Sequence, residues 1–179
     1  DSFLNDQKDG KGIYIFENGD IFEGDFKNGA FHNQGSFYYK NGDLYEGEWK
    51  MDERTGNGKL FFKNGDVYDG EWRNDDHDGS GKYLWIDGDK YVGDFKNGLK
   101  EGQGTYFFNN KSIYIGEFRN DKREGFGLYC SSDGETYEGE WKNDSKEGKG
   151  IFYLDDGEVY EGYNNNDVYS GFGKYYYLN

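Results

Sequence analysis

The residue types that could carry chemistry in this 179-residue chain are His32, His77, the single Cys130, the acidic run Asp75, Asp76, Asp78 and a series of Gly-x-Gly pairs. Nucleophilic or acid–base catalysis needs a nucleophile beside a base that a third group holds in place, and neither histidine has such a set around it in the sequence. Both are read as loop residues. The run around His77 could suggest a divalent cation, but it lacks the alternating ligand spacing of a calcium loop and is read as a solvated loop. The Gly-x-Gly pairs do not continue to a third glycine or open a helix, so they are structural rather than phosphate-binding. Asn110-Lys111-Ser112 and Asn143-Asp144-Ser145 fit the glycosylation acceptor pattern and are read as unmodified. The expectation is no catalytic residue, no metal and no cofactor.

Stepping outward, Leu 8, Ile 7, Val 4 and Phe 15 make only 34 of 179 residues, and the net charge is −15. That pair of values is typical of disorder. The aromatic content of 21% opposes it, because rings want a large area removed from water and some fold must bury them. There are 30 Gly and no Pro, so the backbone needs positive φ or close approach at many points and never a missing donor. No stretch is long and apolar enough to span a bilayer, and Asp1–Ser2–Phe3–Leu4 shows no basic-then-apolar signal region. Without an initiating Met, the chain reads as a fragment. One cysteine fits a reducing, cytoplasmic setting.

What must position these residues is a repeat. An aromatic-x-Gly-acidic-aromatic unit begins at Phe22, Tyr45, Tyr68, Tyr91, Tyr114, Tyr137 and Tyr160, each 23 residues after the last. Its glycines are Gly24, Gly47, Gly70, Gly93, Gly116, Gly139 and Gly162. Its closing aromatics are Phe26, Trp49, Trp72, Phe95, Phe118 and Trp141, until Asn164 breaks the series. The Gly-x-Gly pairs end at Gly12, Gly35, Gly58, Gly81, Gly104, Gly127, Gly150 and Gly173 on the same step. Asn33 replaces one leading glycine, and since Asn tolerates left-handed backbone best after Gly, the exception points to a conformational role. Asn-Gly or Asp-Gly recurs from Asn18-Gly19 to Asp156-Gly157, with Asn110-Lys111 in one copy.

A run of aromatic and aliphatic residues, then Asn-Gly or Asp-Gly, then alternating residues is strand, tight turn, strand. The fold class is therefore all-β: an elongated single-layer solenoid-like array of antiparallel β-hairpins with a 23-residue repeat. Fifteen strands would make a ribbon roughly 70 Å long. Tyr68, Gly70 and Trp72 share one face, and glycine between rings leaves a slot in which a ring from a neighbouring strand lies on bare backbone. A three-residue loop such as Glu17-Asn18-Gly19 pairs Tyr14 with Phe22 and Gly12 with Gly24, placing all rings on that face. Residues 1–9 are a leader or the end of a preceding repeat. The array runs over 10–179 as 10–32, 33–55, 56–78, 79–101, 102–124, 125–147, 148–170 and a half repeat 171–179.

The Tyr-x-Gly-x-Trp unit followed by Gly-x-Gly at this step closely resembles the MORN (membrane occupation and recognition nexus) repeat over about residues 10 to 177. The resemblance implies an elongated array of antiparallel hairpins. It also implies a positioning role, since such arrays occur in junctional membrane, ciliary and cortical cytoskeletal proteins and beside catalytic domains. Some members self-associate, and in one the aromatic groove of the array holds a helical segment of a myosin tail. Asn33, Lys111 and Asn164 depart from the pattern.

Charge separates the binding alternatives. Lipid and nucleic-acid surfaces reward clustered Lys and Arg, whereas 36 acids face 21 bases here. Nucleic acid is excluded and a phosphoinositide or membrane contact is disfavoured, its only support being Arg119, Lys122, Arg123, Lys142, Lys146 and Lys149 on neighbouring connections. The favoured reading is a non-enzymatic, cytoplasmic, cytoskeleton-associated scaffold. It would hold an amphipathic helical or extended partner segment with basic flanks along groove aromatics Tyr45, Trp49, Tyr68, Trp72, Tyr83, Trp85, Tyr91, Tyr106, Tyr114, Tyr137 and Trp141. Tyr175, Tyr176 and Tyr177 form a candidate self-association edge for a homodimer. The chain could also be the positioning appendage of an enzyme outside these residues.

Overall fold

Each 23-residue copy contains two different turns, a three-residue loop and a two-residue turn. The computed structural model describes residues 2–4 and 7–178. Asp1, Asn5 and Asp6 of the expected leader, and Asn179 of the expected half repeat, lie outside the described residues. The first eight strands are β1 (Ser2–Leu4), β2 (Gln7–Ile15), β3 (Ile21–Lys27), β4 (Ala30–Tyr38), β5 (Leu44–Lys50), β6 (Glu53–Phe61), β7 (Val67–Arg73) and β8 (Asp76–Leu84). They are followed by β9 (Lys90–Lys96), β10 (Leu99–Phe107), β11 (Ile113–Arg119), β12 (Lys122–Cys130), β13 (Thr136–Lys142), β14 (Ser145–Tyr153), β15 (Val159–Asn165) and β16 (Val168–Tyr176). They follow sequence order in one open antiparallel sheet. Residues 1–86 with 95–98, and residues 87–94 with 99–179, form two compact units.

The three-residue loop is as expected. Gly12 pairs with Gly24 and Tyr14 with Phe22, Gly19 has φ +95°, and its N–H donates to Phe16 O at 3.0 Å. The second connection is a two-residue turn with both central residues left-handed, such as Asn74 and Asp75 at φ 48° and 68°. That geometry matches the strand twist and makes a tight hairpin. The strand after it therefore starts three residues before the Gly-x-Gly pair, and His32 and His77 lie on β4 and β8 rather than in loops. To fit the extra length the ladder bulges: Gly24 faces Gly35 but Asp25 faces His32, leaving Asn33 and Gln34 unpaired on that side. Asn33 has φ 52°, the same left-handed state as Gly56 at 56°, which explains why Asn can stand for glycine there.

The slot exists, but the ring filling it comes from the same strand, two residues upstream. Tyr68 leans over Gly70 and across to Gly81 on β8, where an added Cβ would meet the phenol ring at 2.6–2.9 Å. The Tyr68 hydroxyl donates to Glu71 O at 2.8 Å, and Tyr45, Tyr91, Tyr114 and Tyr137 repeat the bond three residues on. Burial pushes these phenol pKa values up, so they remain donors.

A single sheet leaves one side of such a ring open, and the long strand closes it. From β4 onward the second residue of each nine-residue strand lies over the ring of the strand before: Phe31 stacks on Phe22 at 3.7 Å and His77 on Tyr68 at 3.6 Å. Arg54, Lys100, Arg123 and Lys146 do the same as cations, at 5.6, 5.8, 5.7 and 5.2 Å from the Tyr45, Tyr91, Tyr114 and Tyr137 rings, and Arg54 and Arg123 also lie 4.3 and 4.4 Å from Trp72 and Trp141 of the next strand. The closing aromatic of the next copy seals the edge, Tyr45 to Trp72, Tyr68 to Phe95 and Tyr114 to Trp141 all lying at 5.2 Å, edge-on. Carboxylates hold copy to copy at both rims. Asp52, Asp75, Asp121, Asp144 and Asp167 accept the backbone N–H of Phe31, Arg54, Lys100, Arg123 and Lys146. Asp20, Asp43, Asp66 and Asp89 accept those of Lys40, Lys63, Ile86 and Asn109.

Three tests follow from this packing. A methyl at Gly70 would sit 2.5 Å from the Gly81 Cα, with backbone and no flexible tip to give way, so Gly70→Ala should lower unfolding free energy by about 3 kcal/mol in denaturant titration. An unchanged midpoint would remove the slot. Lys111 takes the glycine place of its loop at φ 73° while keeping the N–H bond to Phe108 O at 2.9 Å. Lys111→Gly should therefore raise stability by about 0.5–1 kcal/mol; a loss would show that the loop bears no strain. Burial, assisted by Arg54, lowers the His77 pKa to about 4. The unfolded chain takes up that proton near pH 6.5 and the folded chain does not. The contribution is thus complete above pH 6.5 and lost as pH falls toward 4. Between pH 7 and pH 5, His77→Phe should lose about 2 kcal/mol less stability than the parent chain, and equal losses would contradict the stacked neutral imidazole.

Candidate partner-binding face

With the inner rings sealed, the aromatic face presents a second, outer row from the residues leading into each three-residue loop. In residues 1–86 it comprises Tyr14 and Phe16, Phe37 and Tyr39, Phe62, and Tyr83 with Trp85; in the second unit it comprises Tyr106, Phe108 and Tyr129. Tyr14 is 49% exposed and Phe37 buried, while Phe16, Tyr39, Phe62, Tyr83, Trp85, Tyr106, Phe108 and Tyr129 are half-buried. Neighbouring rings touch, Tyr83 to Trp85 at 4.4 Å and Tyr106 to Phe108 at 4.6 Å. Carboxylates orient two phenols: Tyr83 donates to Asp66 at 3.3 Å and Tyr106 to Asp89 at 2.6 Å. Burial, then Asp66, pushes the Tyr83 pKa up to about 12, and burial with Asp89 raises that of Tyr106.

The structure divides the expected groove residues. Tyr45, Tyr68, Tyr91, Tyr114 and Tyr137 are 0–1% exposed and Trp49, Trp72 and Trp141 are 4% exposed. These eight are core and offer no surface, because a side chain of the following strand lies over each tyrosine and one of the preceding strand lies against each tryptophan. Tyr83, Trp85 and Tyr106 belong to the outer row. Phe16, Tyr39, Phe62 and Phe108 were missed, although they and Trp85 keep the same 23-residue step in the sequence.

The candidate lipid cluster is divided as well. Arg123 is paired with Asp144 at 3.3 Å over Trp141, Lys146 lies over Phe152 at 4.9 Å, and Lys149 pairs with Glu161 at 3.1 Å. Burial lowers the pKa of Lys146 and of Lys100. Cys130 is half-buried on β12. Asn164, in place of a closing aromatic, is 4% exposed with both amide atoms lacking a hydrogen-bond partner. Tyr175, Tyr176 and Tyr177 are 42%, 50% and 71% exposed, Tyr175 and Tyr176 on β16, which pairs with β15. The opposite face carries a trough in residues 1–86 floored by glycine backbone and walled by Glu23, Glu46, Glu48 and Asp69 with Lys11 and Lys59. Among the described residues no group of His, Cys, Asp or Glu could hold a metal ion, and no helix is long and apolar enough to cross a membrane.

Among solved structures the chain is similar to the SAS-4 (dCPAP) TCP domain of Drosophila melanogaster in complex with a proline-rich motif of Ana2 (dSTIL). The match has 16% identity and a TM-score of 0.54, covering 87% of this chain and 85% of that one. The TCP10c domain of Drosophila melanogaster Sas-4 matches at 12% identity and a TM-score of 0.45, covering 94% and 99%. No curated protein matches the chain. The MORN repeat family matches in eight consecutive copies, at residues 2–21, 22–44, 45–67, 68–90, 91–113, 114–136, 137–159 and 160–179. With every copy in step from residue 2 to residue 179, the chain belongs to the MORN repeat family.

Proposed function

We propose that this chain is a non-enzymatic scaffold of cytoskeletal assemblies that holds a segment of a protein partner against the outer ring row of its aromatic face. The observation that carries this reading is the row itself: half-buried rings at a fixed step, held by the fold with surface to spare. The SAS-4 domain of similar fold holds a proline-rich motif of another protein, and an extended segment laid across strands is the occupant proposed here. Basic flanks on that segment suit a chain of net charge −15. Tyr83, Trp85 and Tyr106 remain in the proposed site, joined by Phe16, Tyr39, Phe62 and Phe108; the eight sealed rings do not.

The exposed β16 residues, Phe172 at 96% among them, support self-association through that edge as a second element of scaffolding. Phosphoinositide contact has less support, since Arg123 and Lys146 are drawn onto rings. Proximity labelling with the full chain in its native cell should enrich cytoskeletal proteins, and Phe62→Ala combined with Trp85→Ala should cut capture of at least one of them about tenfold. Labelling that the double variant leaves unchanged, together with co-sedimentation on phosphoinositide vesicles at physiological salt, would replace this reading with a lipid-contacting one.

A further inference from the structure

In residues 1–86 the outer row sets one ring per copy at a constant sequence step: Phe16, Tyr39, Phe62 and Trp85, all half-buried. Their separation is bounded by the ring contacts. Phe16 lies 5.5 Å from Phe37, which lies 4.4 Å from Tyr39, so Phe16 and Tyr39 are at most 9.9 Å apart. Phe62 lies 5.8 Å from Tyr83, which lies 4.4 Å from Trp85, so that pair is at most 10.2 Å apart. Two strands per copy at roughly 4.8 Å spacing give an advance of about 9.6 Å, within both bounds.

An occupant that crosses the strands must present an anchor at that interval. A polyproline II helix has three residues per turn and rises about 3.1 Å per residue, so every third side chain recurs on one side after roughly 9.3 Å. Same-side residues of an extended strand recur at roughly 6.7 Å. An α-helix offers an anchor at about 5.4 Å per turn or roughly 10.5 Å per heptad, longer than either bound. Over the three steps from Phe16 to Trp85, polyproline II drifts by roughly 1 Å and the heptad by roughly 3 Å.

Charge names the remaining positions. Beside these rings stand Glu17, Asp20, Asp43 and Asp66 against Lys40 and Lys63. Burial raises the pKa of the Tyr39 phenol, Arg54 opposes the rise, and Asp75, Asp20 and Asp43 add to it, so the middle of the row lies among carboxylates. Arg54 is itself paired with Asp75 at 3.0 Å. The row favours a cationic occupant.

We propose that the Phe16, Tyr39, Phe62 and Trp85 row seats a proline-rich segment in polyproline II conformation, one apolar residue per copy with Lys or Arg between. This rests on the reading of the aromatic face as the partner site and adds the conformation and period of the occupant. The probe is a labelled Ac-(Leu-Pro-Lys)4-amide peptide titrated against the full chain by fluorescence anisotropy. An isomer of the same composition with leucines scattered around the helix, and a basic amphipathic helical peptide of equal length, serve as comparisons. The in-phase peptide should bind saturably and at least about tenfold tighter than the isomer. Tyr39→Ala and Phe62→Ala should each weaken it about fivefold or more, while Glu46→Ala on the opposite face leaves it unchanged. A photoreactive group at the second leucine should mark Tyr39 or Phe62 in the unsubstituted chain, which keeps the test independent of how the variants fold. Equal affinity for the two isomers, or labelling of the face that carries Glu46, would overturn the proposal. Binding of the helical peptide alone, with the same sensitivity to Tyr39 and Phe62, would remove polyproline II and leave the partner face standing. Saturable binding by none of the three would remove both.

Discussion

The fold depends on one contact made again in each copy: an aromatic ring lying flat over two glycines that face each other on adjacent strands. Tyr68 over Gly70 and Gly81 fixes the rest by exclusion, since a Cβ at either glycine would meet ring or main chain below 3.0 Å. The hydroxyl donates to the Glu71 carbonyl and ties the ring lengthwise along its own strand. Everything else in the copy completes that ring's enclosure. The bulge at the Gly-x-Gly pair lengthens the next strand, its second residue comes down on the ring, and the following aromatic shuts the side. A chain with few aliphatic side chains builds a core in this way because each ring needs only its own copy and the next, with no second sheet to cover it.

The acid excess has a structural role. In most copies a carboxylate at each rim receives a main-chain N–H from the neighbouring copy, as Asp75 does from Arg54 and Asp43 from Lys63. Where glycine replaces the first of these, Gly98 N–H still bonds His77 O at 2.9 Å; where serine replaces the second, Ser112 Oγ accepts from Ser132 N–H. A charge-assisted bond to a main-chain donor is worth more than an exposed ion pair, so a negative field is a consequence of how the copies are joined. A partner on the ring face meets that field.

The strands, the three-residue loop and the shared face of the rings were legible because glycine and aromatic residues leave strong periodic marks. The two-residue turn was hidden because Met51-Asp52, Asn74-Asp75 and most of their counterparts carry no glycine at positions of positive φ, although Asn28-Gly29 and Asn97-Gly98 do. From that one omission came the misplacement of His32 and His77 and the expectation that the inner rings would be exposed. Alternation along a strand reports a face but not what lies over it; the covering residue is nine positions downstream, beyond a turn. The residues Phe16, Tyr39, Phe62, Trp85 and Phe108 keep the 23-residue step in the sequence, but only burial tells this outer row, with its neighbours Tyr14, Phe37 and Tyr83, from the sealed inner rings.

The ring-over-glycine contact can be read directly from solution proton chemical shifts. A ring face held against main chain shields the protons beneath it, so one Hα each of Gly58, Gly81, Gly104, Gly127 and Gly150 should resonate well upfield of other strand glycines, with nuclear Overhauser contacts to the ring protons of Tyr45, Tyr68, Tyr91, Tyr114 and Tyr137. Ordinary strand shifts and no such contacts would contradict the account at its base.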